Sequence, residues 1–277
     1  SDLVVNDLTV NGELQALGTV KLDGNYPTGT ANVALGDTAL DSIEAGGINN
    51  VAIGANAGTA ITTGDDNVAV GKDSLLANTT GCRNTAIGLG AIKCNVTGLR
   101  NTGVGYSSLA NTTANNNSAL GYDSLVLNTS GADNVAIGHC SLRANTSADN
   151  NTAVGSLALN ANTTGASNVA VGFQALNSNT TASNNVAVGE DALKDTTTGC
   201  QNIAMGRNAM EDNSTGDLNV ALGYNALKAN TTADDNTAVG SSALAANTTG
   251  TGNVSVGALA LDANTTGDSN TAVGKQA

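Results

Sequence analysis

One phrase of 17 residues repeats almost without interruption from Asn32 to the end of the chain. Its leading Asn returns at Asn32, Asn50, Asn67, Asn84, Asn101, Asn117, Asn134, Asn151, Asn168, Asn185, Asn202, Asn219, Asn236, Asn253 and Asn270, and the consensus reads N-[VT]-A-[VIL]-G-x-x-[AS]-L-x-x-N-T-T-G-x-x. The spacing departs from 17 twice, being 18 at the first step and 16 between Asn101 and Asn117. A period held this long defines a solenoid, in which each copy stacks on the next and length changes are absorbed in turns. Nothing apolar recurs at i, i+3 and i+4, so leucine-rich and helical repeats are excluded. The chain is therefore expected to be all-β: a parallel β-solenoid (β-roll) of about fifteen coils over residues 32–277, a rod about 70 Å long at the usual strand spacing.

With the leading Asn as position 1, each position takes an expected place. Position 4 is aliphatic or Met throughout, from Leu35 to Val273, while position 2 takes Thr or Ser as readily as Val. In a strand these share one face, with the small position 3 opposite, and position 4 is expected to lie deeper. Gly at position 5, from Gly36 to Gly274, marks a sharp turn or a close backbone approach. Position 9, usually Leu, is expected to form a second short buried strand, and N-T-T-G to form a turn.

Composition bears on how thick such a rod can be. Gly supplies 34 of 277 residues, aromatics only 2%, and Trp is absent, so the large side chains of an ordinary core are missing. A thin interior and near-constant small residues at positions 3 and 8 favour close approach of chains, and predict a homo-oligomer around a shared axis. Residues 1–31 break the pattern: "LTVNGELQALGTVKLDGNYP" alternates apolar with polar residues, ends at the only proline, Pro27, and reads as an N-terminal β segment or adapter leading into the rod. At the other end, "NTAVGKQA" stops part-way through a copy, so the fibre is expected to continue beyond Ala277.

Charge narrows the partners. A net charge of −13 and a pI near 4.1 oppose nucleic-acid binding, and no apolar run approaches the roughly 18 residues of a membrane span, so no membrane insertion is expected. The four cysteines fall at unrelated places: Cys82 and Cys200 share position 16 but lie seven copies apart, about 33 Å, beyond disulfide reach. They read as small apolar fillers. One histidine, His139, has no triad or metal-ligand partners at the right spacing, so neither an enzyme nor a cofactor is expected, and acidic pairs such as Asp65-Asp66 and Asp234-Asp235 read as solvated turns.

Two features remain as candidate sites. Tyr106, Tyr122 and His139 occupy position 6 in consecutive coils, as Phe173 and Tyr224 do elsewhere; stacked at the strand spacing, the first three would form an exposed ring strip, either a platform for a host cell-surface glycan or a contact with a neighbouring chain. N-x-S/T occurs at Asn78, Asn95, Asn111, Asn128, Asn145, Asn162, Asn179, Asn213, Asn230, Asn247 and Asn264. These could carry glycans if the chain is secreted; the reading favoured here is a ladder of stacked amides. Thr columns also raise ice binding, but neighbouring Thr side chains on a strand point to opposite faces and make a poor flat array.

The core N-V-A-I-G, complete at residues 50–54 and 134–138, resembles the head repeat of trimeric autotransporter adhesins, trimers of left-handed parallel β-rolls. The present repeat is longer, and within these 277 residues no neck, coiled-coil stalk or membrane anchor is recognisable. The longer N-T-T-G form with its "DLTVNGEL…GTVKLDGNYP" leader is similar to repeats of phage tail fibres. Both resemblances imply a homotrimeric fibre for reach and attachment, its partners being itself, other fibre or tail proteins and a host surface. The implied location is a virion tail fibre, the alternative an adhesin head or glycosylated filament at a bacterial surface or outside the cell.

Overall fold

The computed structural model describes residues 31–277; the leader segment 1–31 lies almost wholly outside them. Fifteen strands of three residues, from β1 (Val33–Leu35) through β10 (Val186–Val188) and β11 (Ile203–Met205) to β15 (Thr271–Val273), form one parallel sheet in strict chain order. The chain winds about 14 turns of a parallel β-solenoid, with no helix among the described residues. Register follows the repeat: Val186, Ala187 and Val188 pair with Ile203, Ala204 and Met205. It also survives the short coil, where Thr102 pairs with Ser118. The missing residue comes out of the turn, because Asn101 Nδ2 reaches the Ala114 carbonyl as Asn84 Nδ2 reaches that of Gly98.

Each coil has one strand, not two. The Leu at position 9 is fully buried, as at Leu75, Leu125 and Leu176, but it lies in a run of turns with φ of 47°, 53° and 50° at these residues. Position 7 is left-handed too, as at Asp73 (φ 59°). Each such residue costs roughly 1–2 kcal/mol. The alternation in return directs N–H groups up and down the rod: Leu75 N donates to Ala91 O of the following coil at 3.1 Å, and Asp73 N to Ala55 O of the preceding coil at 3.0 Å. A buried Leu every 17 residues satisfies this geometry as well as it would a strand, so the sequence pattern cannot separate them.

The depth of the strand is reversed from the expectation. The Ala at position 3 points inward and is fully buried in coil after coil, for example Ala69, Ala136 and Ala187, while positions 2 and 4 face out. Inside, Ala at position 3 meets Ala or Ser at position 8 and Leu at position 9; a coil this narrow has room for one methyl there, and the larger aliphatics must sit outside.

Position 5 shows why only Gly occurs. Its φ runs between 122° and 140°, a region open essentially to Gly alone, and a Cβ on Gly88 would stand 2.4 Å from the Gly105 carbonyl oxygen.

Candidate interaction surfaces

The rod is lined by polar ladders that the sequence reading only partly foresaw. At position 12, Asn162 Nδ2 donates to Asn145 Oδ1 (3.1 Å) and to the Gly165 carbonyl (2.9 Å), and Asn179 Nδ2 donates to Asn162 Oδ1 (2.7 Å). At position 1 a second ladder runs parallel: Asn168 Oδ1 accepts the backbone N–H of Asn185, and Asn168 Nδ2 donates to the Ala182 carbonyl. Both amides of a coil converge on the carbonyl at position 15, as Asn67 and Asn78 do on Gly81. The role of the leading Asn was not anticipated, although its invariance beside small residues was the signal.

Of the N-x-S/T sites, Asn78, Asn95, Asn128, Asn145, Asn162, Asn179, Asn213, Asn230 and Asn247 are fully buried in this way. Asn264 is half-buried near the last coil and still donates to Asn247 Oδ1. Asn111 sits one place off, because Thr112 takes the ladder position in the short coil; Asn111 Nδ2 donates to Val126 O, and Asn128 Nδ2 bonds to the Thr112 hydroxyl. A glycan needs the nitrogen that these ladders use. Folded protein from a glycosylating secretory host is expected to carry no glycan at Asn145, Asn162, Asn179 or Asn230; peptide mass spectrometry showing occupancy there would contradict the placement.

Thr at position 13 spends its hydroxyl along the rod, as when Thr163 Oγ1 donates to Thr180 O at 2.9 Å. The next Thr or Ser, such as Thr164, is exposed. One free hydroxyl column per coil does not make a two-dimensional array.

The turn before each new strand is tied by position 16, whose side chain accepts the backbone N–H of position 16 in the preceding coil. Asp65 Oδ1 takes Ile48 N (2.9 Å), Ser183 Oγ takes Ala166 N (3.0 Å), and Asp217 Oδ1 takes Cys200 N (2.6 Å). Cys82 and Cys200 do the same through sulfur, at 3.3 Å from Asp65 N and 3.4 Å from Ser183 N. These two thiols are acceptors rather than apolar fillers, and Asp65 and Asp234 are bound to backbone rather than merely solvated. All four cysteines are free. Cys140 is buried beside His139, and burial, then Asp123, pushes its thiol pKa up.

Outside, two surfaces stand out. The first is the outward face of the sheet, where position 4 forms an aliphatic column along the rod and position 2 a column of Val or Ile interrupted by Thr85, Thr102, Ser118, Thr152, Thr237 and Thr271. Leu35, Ile53, Ile87, Leu120, Ile137, Met205, Val256 and Val273 at position 4, with Ile203 and Val254 at position 2, are its most exposed members. The second is the position-6 strip. Tyr106 and Tyr122 stack with ring centroids 5.0 Å apart and planes at 9°, and Tyr122 and His139 at 5.5 Å and 16°. The two tyrosines are 47% and 50% exposed, but the rings turn their faces to one another, Tyr122 on both sides, and present edges to solvent. A sugar platform requires an open face, which this stack offers only at its ends. Phe173, 47% exposed, stacks on no other ring among the described residues.

Charged side chains form a short ladder at position 10, where Glu211 lies 3.1 Å from Lys228 and 4.0 Å from Lys194; at position 6, Arg207 pairs with Glu190 at 3.4 Å. Asp191 and Asp212 border the ladder. Burial raises both carboxyl pKa values, with Glu211 adding to the rise in each; Asp191 Oδ1 is buried without a hydrogen-bond partner among the described residues, and Lys194 stands 3.9 Å from it. A carboxyl with a raised folded-state pKa contributes stability below its unfolded pKa that is lost as pH rises through the folded value. The double variant Asp191→Asn, Asp212→Asn is therefore expected to melt higher than wild type at pH 7 and to gain less on acidification toward the carboxylate range, as followed by circular dichroism.

Among the described residues no three His, Cys, Asp or Glu side chains are placed to hold a metal, and no helix is long and apolar enough to cross a membrane. No protein-family model matches this chain, and no curated protein is significantly similar to it.

Proposed function

We propose that this chain is the shaft of a homotrimeric fibre, a structural and adhesive element of a phage tail that carries host attachment to a distance. The observation that supports it most is the outward sheet face. Fifteen strands at ~4.8 Å, each about 10 Å long, make a face on the order of 700 Å², aliphatic or Met at position 4 in every coil and Val or Ile at position 2 in nine of the fifteen. A monomeric surface seldom leaves more than about 300–600 Å² of contiguous apolar patch uncovered, and a standard interface takes about 800 Å² per partner. The core within each coil is Ala, Ser and Leu, so covering Val, Ile and Leu outside supplies apolar burial that the coil lacks. A second copy is the natural cover, since a flat parallel face of constant period matches itself. The net charge of −13 suits a scaffold that meets proteins or glycans rather than nucleic acid.

Electron microscopy of the native source tests the assignment. Slender fibres on virions that bind an antibody to this chain are the expected result. The same label on bacterial surfaces or on free filaments would replace the phage reading with a cell-surface adhesin.

A further inference from the structure

The sheet face that covers itself so well has a weakness: it is almost the same at every height. Displacing one copy by a single coil, about 4.8 Å, returns the position-4 column against itself along nearly the whole rod, exchanges only Val or Ile for the similarly shaped Thr or the smaller Ser at some places in position 2, and sacrifices only one coil's contact. Some feature on the same side must differ along the axis if chains are to align. Position 6 follows directly after position 4 across Gly at position 5, and it is there that the coils differ most: Lys72, Leu89, Tyr106, Tyr122, His139 and Ser156 follow one another.

We propose that the stacked strip of Tyr106, Tyr122 and His139 sets the axial register between copies of this chain by contacting the neighbouring copy with its ring edges. The inference rests on the self-association proposed above. Three observations carry it. The rings are parallel and 5.0 and 5.5 Å apart, so the strip is a rigid unit spanning three coils. Its faces are used internally, which leaves edges and phenol hydroxyls for a partner, and neither phenol has a hydrogen-bond partner among the described residues. Three rings on consecutive coils occur at this one height, so a slip of one coil brings a ring of one copy to the level of Leu89 or Ser156 in the other.

The test uses cysteine cross-linking in the full chain with Cys82, Cys94, Cys140 and Cys200 replaced by Ser, a residue already present at each of those repeat positions (Ser183, Ser178, Ser107). Reporter cysteines are placed at Val169 or Val171 in one preparation and at Val186 or Val188 in another, and the two are mixed, refolded and oxidised. A disulfide between two like reporters records copies at the same height and one between unlike reporters records a one-coil offset, so the two products are separable by mass spectrometry. With native rings, same-height products should exceed offset products by about tenfold. Tyr106→Ser with Tyr122→Ser, Ser being the natural occupant at Ser156 and Ser241, should bring the two within about twofold while circular dichroism shows the coils intact. Retention of the native ratio in that variant overturns the register role, and loss of binding to host glycans alongside it would assign the strip to a sugar instead. A wild-type monomer in sedimentation overturns the self-association itself, and an oligomer that yields no disulfide at any reporter overturns the sheet face as the surface through which copies meet, and the register role with it.

Discussion

Gly88→Ala is expected to destabilise the rod by about 3 kcal/mol or more, whereas Gly81→Ala, seven residues earlier, costs less than about 1 kcal/mol. At Gly88 φ is 130°, a conformation costing a residue with a Cβ about 1–3 kcal/mol, and that Cβ would also lie 2.4 Å from the Gly105 oxygen. Backbone pinned by ladders on both sides has little freedom to retreat. A Cβ at Gly81 would crowd Asn78 Oδ1 and the Gly98 carbonyl as closely, but Gly81 stands at position 15, where φ is not positive and where Ala114, Ala148, Ala182 and Ala233 are accommodated, each with Gly in the adjoining coils. Its neighbours Gly64 and Gly98 give an Ala at 81 the same setting. Denaturant melts of the two variants check the contrast; equal losses would show that crowding rather than φ governs position 5.

Asn162→Leu is the second large effect, a loss of about 3–5 kcal/mol. It removes three hydrogen bonds, leaves Asn145 Oδ1 buried without a partner, a loss of about 1–3 kcal/mol, and reduces Asn179 Nδ2 to its bond with the Ala182 carbonyl. Asn162→Thr should cost less than half as much, because Thr112 and Thr196 already take this place and accept from Asn128 and Asn213 at 3.2 and 3.4 Å. The apolar occupants of this place, Ile43 and Ile61, stand in adjoining coils at the start of the described rod, where Ile61 also uses space left by Gly58 at position 9; Leu at 162 would instead stand between Asn145 and Asn179 beside Leu159. Equal melting points for the Leu and Thr variants would show the amide ladder to be dispensable.

The period, the parallel stacking and the confinement of length changes to turns were legible in the sequence because they depend only on spacing. Which side of the strand faces inward was not. Hydrophobicity points Val70 or Val188 to the core and Ala69 or Ala187 to the surface, yet a narrow coil admits only the smaller residue, and the difference lies in coil diameter. The left-handed Leu residues hid for a similar reason: burial of Leu75 fixes where its side chain goes and leaves its φ open. The amide ladder at position 12 followed from an Asn stacked on itself; the Asn at position 1 stacks in the same way, Asn67 Nδ2 donating to Asn50 Oδ1, but its place at the head of a strand gave no sign that its side chain also ties the backbone N–H of the next coil and the carbonyl across its own. Cys82 and Cys200 looked like unrelated singletons until Asp217, Ser183 and Asn115 were seen performing the same task at position 16. The ring strip was legible as a strip, but the direction its rings face required coordinates.

The reversal at positions 3 and 4 also moves the argument for self-association onto firmer ground. Small residues at position 3 do not let chains approach one another, since they are inside; it is the exposed aliphatics of positions 2 and 4 that call for a cover. Sedimentation velocity at micromolar concentration, on wild type and on Val154→Lys, Val171→Lys, Val188→Lys, tests this most directly. The account predicts a wild-type trimer with no folded monomer and a triple-Lys variant that fails to assemble, whereas a wild type that sediments as a stable, fully folded monomer would contradict it.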